Sequence, residues 1–123
     1  MKKKRVLVVD DEKDIVDMLI ERLESAGYEA VGAYSGAEAL CEVKKSPPKL
    51  IILDIMMPEI DGFDVLRELK SNSATAHIPV VMLTAKADSD SIFLAEKLGS
   101  ADYIFKPFES KEFLSVVEKC ILP

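Results

Sequence analysis

Five side chains that could carry chemistry each stand at, or directly after, the end of a short apolar run. They are three carboxylates, one hydroxyl and one ammonium, namely Asp10, Asp11, Asp54, Thr84 and Lys106. Carboxylates within a few ångströms repel one another, and each pair about 4 Å apart costs roughly 4 kcal/mol at an effective dielectric of about 20. One ammonium offsets part of this, so the set calls for a proton or a cation. Mg²⁺ or Mn²⁺ suits carboxylate oxygens and would keep open positions for phosphoryl oxygens.

With a cation bound, one carboxylate of the set could act as a nucleophile toward phosphorus. Asp54 is the best candidate, because it ends the central apolar run between the other groups. Lys106 would neutralise a phosphoryl oxygen and Thr84 would hydrogen-bond another. Each residue alone has an ordinary explanation as a cap, a strand-end hydroxyl or a surface lysine. Their joint occurrence at four run ends favours the chemical interpretation.

The segments that must position these side chains alternate between two periodicities. Short β-branched or apolar runs predict strands over Arg5–Val9, Glu29–Tyr34, Leu50–Leu53, Pro79–Leu83 and Tyr103–Phe105. Apolar stripes at helical spacing predict helices over Glu12–Ala26, Gly36–Lys45, Phe63–Lys70, Ser89–Leu98 and Ser110–Ile121. Strict alternation predicts a parallel sheet with helices on both faces. The carboxyl ends of its strands meet at one edge, where such sheets place their function.

Local signals mark two of the predicted helix ends. Gly27 is expected to end the first helix as a C-terminal cap. Ser35 is expected to cap the second helix, with Glu38 three residues later completing a capping box.

Composition and charge indicate one soluble domain over residues 1–123. The chain is 49% hydrophobic and 31% charged, and Cys41 and Cys120 match no disulfide or metal spacing. Four of the 16 basic residues lie in positions 2–5, which leaves 12 bases against 22 acids. This acidic body argues against direct nucleic-acid binding. The apolar run Val6–Val9 is too short for a signal peptide, so we expect a cytoplasmic protein without a membrane partner.

Four ordered motifs resemble the receiver domains of two-component response regulators. They are VLVVDDE at 6–12, LDIMMPEIDG at 53–62, PVVMLTA at 79–85 and ADYIFKPF at 101–108. The resemblance extends from Val6 to Ile121. It implies a flavodoxin-like, doubly wound α/β fold with five helices and a five-stranded parallel sheet in the order 2-1-3-4-5.

The resemblance also implies a metal site and a phosphoacceptor. Asp54 would accept the phosphoryl group. Asp11 would be the main acidic ligand of Mg²⁺ (or Mn²⁺), and Asp10 would assist it largely through water. The backbone carbonyl of Met56 would complete the site together with Asp54.

The remaining implied roles concern the response to phosphorylation. Lys106 would bridge Asp54 and the phosphoryl group, and its bond to Pro107 would be cis. Thr84 and Tyr103 would form a switch pair, in which Thr84 moves toward the phosphoryl group and Tyr103 turns inward. The face made by the fourth helix, fifth strand and fifth helix would then change.

As a whole, the resemblance implies a phosphorylation-dependent switch rather than an enzyme with a separate substrate. Such a switch catalyses only its own phosphoryl transfer and autodephosphorylation. Its phosphoryl donor would be a sensor histidine kinase or a histidine phosphotransfer protein. It would control a downstream output protein or a fused output domain.

Three alternatives remain open on the sequence. A haloacid-dehalogenase-type phosphatase also uses an Asp nucleophile, but it expects a second Asp where this chain has Met56. A flavodoxin-like flavin carrier needs a phosphate loop after the first strand, where this chain has the acidic stretch 10–14. A receiver-like docking module that is never phosphorylated would keep the same fold.

Overall fold

The computed structural model of the protein describes residues 2–121. The strands are β1 (Arg5–Val9), β2 (Glu29–Ala33), β3 (Leu50–Leu53), β4 (Val80–Thr84) and β5 (Asp102–Phe105). The helices are α1 (Lys13–Ser25), α2 (Gly36–Lys45), α3 (Gly62–Ser71), α4 (Ser89–Lys97) and α5 (Ser110–Ile121). Met1, Leu122 and Pro123, which the single-domain prediction includes, lie outside the described residues.

All strands of the sheet are parallel and follow the order β2-β1-β3-β4-β5. This confirms the fold class and the strand order expected above. In the β1–β3 register Val9 lies opposite Leu53, so the next residues of the two strands, Asp10 and Asp54, emerge side by side. The Asp54 N–H donates to the Val9 carbonyl at 3.0 Å, which extends the pairing by one bond.

The sheet is buried on both faces, which explains its almost continuous apolar runs. Alternate strand residues enter two separate cores, with Leu7 and Ile51 on one face and Val8 and Ile52 on the other. Helices α2, α3 and α4 cover the first face, and α1 and α5 cover the second. Within residues 2–121, no helix combines the length and the apolar character needed to cross a membrane.

Several element ends differ from the predictions by one or two residues. Strand β4 begins at Val80 because Pro79 has no N–H to donate, although the Pro79 carbonyl still accepts a bond from the Ile51 N–H. It ends at Thr84, which pairs with Phe105, so the strand includes the hydroxyl residue that was expected to follow it.

The predicted capping box of α2 is only half right. The Ser35 hydroxyl accepts from the Glu38 N–H at 3.1 Å, as expected. The Glu38 carboxylate, however, accepts from the Tyr34 N–H at 2.9 Å and not from the N–H of Ser35. The glutamate is long enough to reach one residue further back. Gly27 follows the end of α1 with a φ of 97°, a left-handed conformation that favours glycine.

Helix α3 has a reciprocal cap that was not predicted. The Asp61 carboxylate accepts from the Asp64 N–H at 3.0 Å, and the Asp64 carboxylate accepts from the Asp61 N–H at 3.2 Å. The pattern uses Asp in place of the usual Glu or Gln three residues after the cap. The sequence pattern therefore predicts a helix start at Phe63, one residue after the observed start at Gly62.

We expect Asp61→Ala to destabilise the protein by about 1 kcal/mol, because the first turn of α3 loses a carboxylate acceptor. For a domain of this size the melting temperature would fall by roughly 3–6 °C. Thermal unfolding followed by circular dichroism measures the change. Ser71→Ala, which alters a hydroxyl bonded within the last turn of the same helix, is the control. An unchanged melting temperature for Asp61→Ala would contradict the assignment of the cap.

Candidate functional site

Three carboxylates meet at the carboxyl edge of the sheet. One oxygen from each of Asp10, Asp11 and Asp54 lies within 4.8 Å of the other two. Asp10 and Asp54 are 2% and 4% exposed, whereas Asp11 is exposed. Residues 44 positions apart in the sequence are thus brought together by the β1–β3 pairing.

The Lys106 ammonium lies among these carboxylates. Its Nζ is 2.7 Å from Asp10 Oδ2, 3.4 Å from Asp54 Oδ2 and 3.7 Å from Glu12 Oε1. The side chain is 14% exposed, so these charges interact in a partly desolvated setting. The peptide bond between Lys106 and Pro107 is cis, as the resemblance implies.

Glu12 is a residue of the site that the sequence reasoning did not assign. Besides its carboxylate beside Lys106, its N–H donates to Asp10 Oδ1 at 2.9 Å. This bond holds the Asp10 carboxylate in place while its other oxygen receives Lys106. The only signal in the sequence was its position, directly after the acidic pair.

The electrostatics leave an excess of negative charge in the cluster. Burial raises the pKa of Asp54 and the Asp10 carboxylate raises it further, while Lys106 lowers it in part, so the net pKa stands above the ordinary value. Burial lowers the pKa of Lys106, but its hydrogen bond to Asp10 and the Asp54 charge outweigh burial and the net pKa is raised. One ammonium therefore does not neutralise the carboxylates, and the site favours an additional cation.

The donor set fits Mg²⁺ or Mn²⁺. Both prefer oxygen ligands, and an octahedral site with bonds of about 2.1 Å places opposite ligands about 4.2 Å apart. The three carboxylate oxygens lie at most 4.8 Å from one another, a limit about 0.6 Å wider than that separation, so small side-chain movements would suffice for all three to bind one ion. The Met56 N–H donates to Asp54 Oδ1 at 3.3 Å, and the Met56 side chain points away from the core, with the residue 60% exposed.

Thr84 and Tyr103 both contact the backbone of Lys86. The fully buried Thr84 accepts from the Lys86 N–H at 3.3 Å, and the Tyr103 hydroxyl donates to the Lys86 carbonyl at 2.5 Å. Tyr103 is half-buried, and its ring lies 5.4 Å from that of Phe105. The loop after β4 thus connects the hydroxyl beside the acidic cluster to an aromatic ring of β5.

This fold and site define a doubly wound α/β domain with an acidic, lysine-bridged cluster at the carboxyl edge of its sheet. The family model for the response regulator receiver domain matches residues 6–118. The chain therefore belongs to the response regulator receiver domain family. It is a phosphorylation-dependent switch domain of two-component signalling.

Individual relatives agree with this assignment. The chain is 43% identical over 112 residues to the probable transcriptional regulator ycf27 of Porphyridium aerugineum, covering 91% of this chain and 45% of that protein. It is 41% identical over 109 residues to the alkaline phosphatase synthesis transcriptional regulatory protein PhoP of Bacillus subtilis, covering 89% and 45%. The chain thus spans about half the length of these curated relatives.

Among solved structures, the chemotaxis protein CheY4 of Vibrio cholerae superposes with a TM-score of 0.91 at 30% identity. The superposition covers 96% of this chain and 98% of that one.

Proposed function

We propose that Asp54 is the phosphoacceptor of this receiver domain and that the surrounding cluster promotes transfer of the phosphoryl group to it. The observation that carries the proposal is the Lys106 ammonium, which contacts both Asp10 and Asp54 within a cluster of three carboxylates. An Asp-nucleophile phosphatase is disfavoured by Met56, whose exposed thioether cannot replace the second carboxylate of that class.

Asp10, Asp11 and Asp54 would hold Mg²⁺ or Mn²⁺, with the Met56 backbone carbonyl as a further ligand. When bound, the cation supplies positive charge that neutralises the cluster and the equatorial oxygens of the incoming phosphoryl group. Glu12 orients Asp10 through its N–H, so that one Asp10 oxygen remains directed toward the site.

The transfer step forms a bond between an Asp54 carboxylate oxygen and phosphorus as the bond between phosphorus and the donor breaks. With a phosphohistidine donor the imidazole nitrogen leaves and takes up a proton from water. With an acyl phosphate a carboxylate leaves and needs no proton. Lys106 would neutralise one phosphoryl oxygen, and the Thr84 hydroxyl would donate a hydrogen bond to another.

The response would pass from Thr84 to Tyr103. A Thr84 hydroxyl that turns to a phosphoryl oxygen would give up its bond with the Lys86 N–H, and the Tyr103 hydroxyl holds the carbonyl of the same residue. Rearrangement of this loop would free the ring to turn inward. The α4–β5–α5 face would then change, and Phe93 and Phe105, 63% and 44% exposed, provide apolar contacts for a partner.

We also propose the phosphoryl donor and the target of this domain, from its membership of the receiver domain family. The donor would be a sensor histidine kinase or a histidine phosphotransfer protein, and the target an output protein or fused output domain. The 123 residues would act as a single receiver domain that catalyses only its own phosphorylation and dephosphorylation. Several relatives are named as transcriptional regulators, so the expectation of no direct nucleic-acid contact stays a prediction for these residues, as does a cytoplasmic location.

The proposal predicts Mg²⁺-dependent uptake of one phosphoryl group from a small acyl phosphate. Intact mass spectrometry of the wild-type protein, incubated with the donor in excess Mg²⁺ or in EDTA, measures it. We expect a single phosphoryl adduct with Mg²⁺ and none with EDTA. Equal uptake under both conditions would contradict the role of the cation, and no adduct in Mg²⁺ would favour the docking module.

A further inference from the structure

Gly62, the first residue of α3, lies against the backbone that carries Asp54. A Cβ at this position would lie 2.3 Å from the Asp54 carbonyl oxygen, 2.6 Å from Ile55 Cα and 2.9 Å from the Asp54 carbonyl carbon. These are main-chain atoms, so no side-chain rotation could relieve the contact. The Gly62 N–H also donates to the Ile55 carbonyl at 2.8 Å, which fixes the helix start against this segment.

Contacts within α3 and with the core hold the first turn of this helix in place. Asp61 and Asp64 cap it reciprocally, and the next residues, Phe63 and Val65, are buried in the core. An added methyl group at Gly62 would therefore push on the Asp54–Ile55 backbone as well as on the helix.

The Asp54–Ile55 segment, which an added methyl group would displace, carries only one of the three carboxylates of the acidic cluster. Asp54 follows β3, whereas Asp10 and Asp11 follow β1, and the three atoms nearest to a Cβ at Gly62 all belong to Asp54 and Ile55. A shift of the Asp54 backbone would change the separation of Asp54 from the other two carboxylates. The Met56 N–H, which bonds to the Asp54 carboxylate, would be displaced as well.

We infer that Gly62 is a positioning residue, whose lack of a side chain sets where the Asp54 carboxylate stands relative to Asp10 and Asp11. Through this placement it determines the affinity of the site for a divalent cation and the rate of phosphoryl uptake. The inference rests on the proposed function and adds to it a residue that touches neither cation nor phosphoryl group.

The test compares Gly62→Ala with Gly32→Ala, a control in which the added methyl meets side chains. At Gly32, on the edge strand β2, a Cβ would lie 2.5 Å from Val16 Cγ1 and 3.3 Å from Ile20 Cδ1. Both variants crowd a neighbour to a similar degree, but only Gly62→Ala presses on the backbone of Asp54. Mg²⁺ affinity is measured by calorimetric titration, and the amide resonances of residues 54–56 are compared in metal-free protein.

We expect Gly62→Ala to lower Mg²⁺ affinity by about 10–100-fold, the range typical of residues that orient metal ligands. The amide resonances of residues 54–56 should move in the metal-free protein. Gly32→Ala should lower the melting temperature but leave the affinity within about twofold of the wild type, well below that range. Unchanged affinity in Gly62→Ala, with a wild type that binds Mg²⁺, would overturn the inference and leave the proposed function intact.

Folding of the variant is controlled separately. Titrations are repeated with trimethylamine N-oxide, which favours the compact state. If Gly62→Ala does not fold even then, while Gly32→Ala does, the glycine is a requirement of the fold and the positioning role is overturned. A wild type that binds no Mg²⁺ would instead contradict the proposed function, and the inference would fall with it.

Discussion

Asp54→Asn is expected to abolish phosphoryl uptake from a small acyl phosphate in the presence of Mg²⁺. The amide keeps the size and shape of the side chain but lacks the charged oxygen that would attack phosphorus. Intact mass spectrometry should show one adduct on the wild type and none on the variant. Asp17→Asn removes an exposed carboxylate paired with Lys13 on α1 and should be phosphorylated like the wild type. A stable adduct on Asp54→Asn at the wild-type rate would refute the assignment.

The same substitution should raise the melting temperature of the metal-free protein at neutral pH. The pKa of Asp54 is raised in the fold, first by burial and then by Asp10, so the charged carboxylate destabilises the native state above its unfolded pKa. This penalty disappears as the pH falls below the unfolded value, because both states are then protonated. The stabilising effect of Asn should therefore be present at neutral pH and absent in acid, which melting curves across pH can test.

Lys106→Ala is expected to separate phosphorylation from the conformational response. Without the ammonium, the buried Asp10 and Asp54 lose their shared partner, and the metal-free protein should lose about 3 kcal/mol of stability. Its melting temperature should fall by roughly 10 °C and recover in part with Mg²⁺, which supplies the missing positive charge. Lys119→Ala, which breaks an exposed ion pair with Asp102, should leave the melting temperature unchanged.

The functional part of this prediction concerns the balance between two states. Moving the domain from about 1:99 to 99:1 in favour of the active state requires roughly 5.5 kcal/mol. We expect Lys106→Ala to accept the phosphoryl group, since the cation and the nucleophile remain, but to respond weakly. Amide resonances of Phe93 and Phe105 in phosphorylated protein report on the face. Wild-type shifts in the phosphorylated variant would show that Lys106 has no part in the coupling.

The sequence by itself determined the order of the elements and the identity of the charged groups. Uninterrupted apolar runs of four or five residues such as Leu50–Leu53 are typical of strands that are buried on both faces, and their alternation with helices favours a parallel sheet. Asp10, Asp54 and Lys106 directly follow such runs, so their meeting at one edge follows from the direction of the chain. These predictions succeeded because periodicity and chain direction are local properties.

Only the tertiary structure decided which of these groups touch one another. The position of Lys106 nearer to Asp10 than to Asp54 depends on the strand register and on side-chain packing across 96 residues of sequence. The contact between the Glu12 carboxylate and Lys106 has the same origin. Gly62 is the clearest case, since a glycine after a loop signals a turn, whereas its contact with the Asp54 backbone is set by where α3 docks against β3. Distances between segments far apart in sequence arise from packing, and no local pattern encodes them.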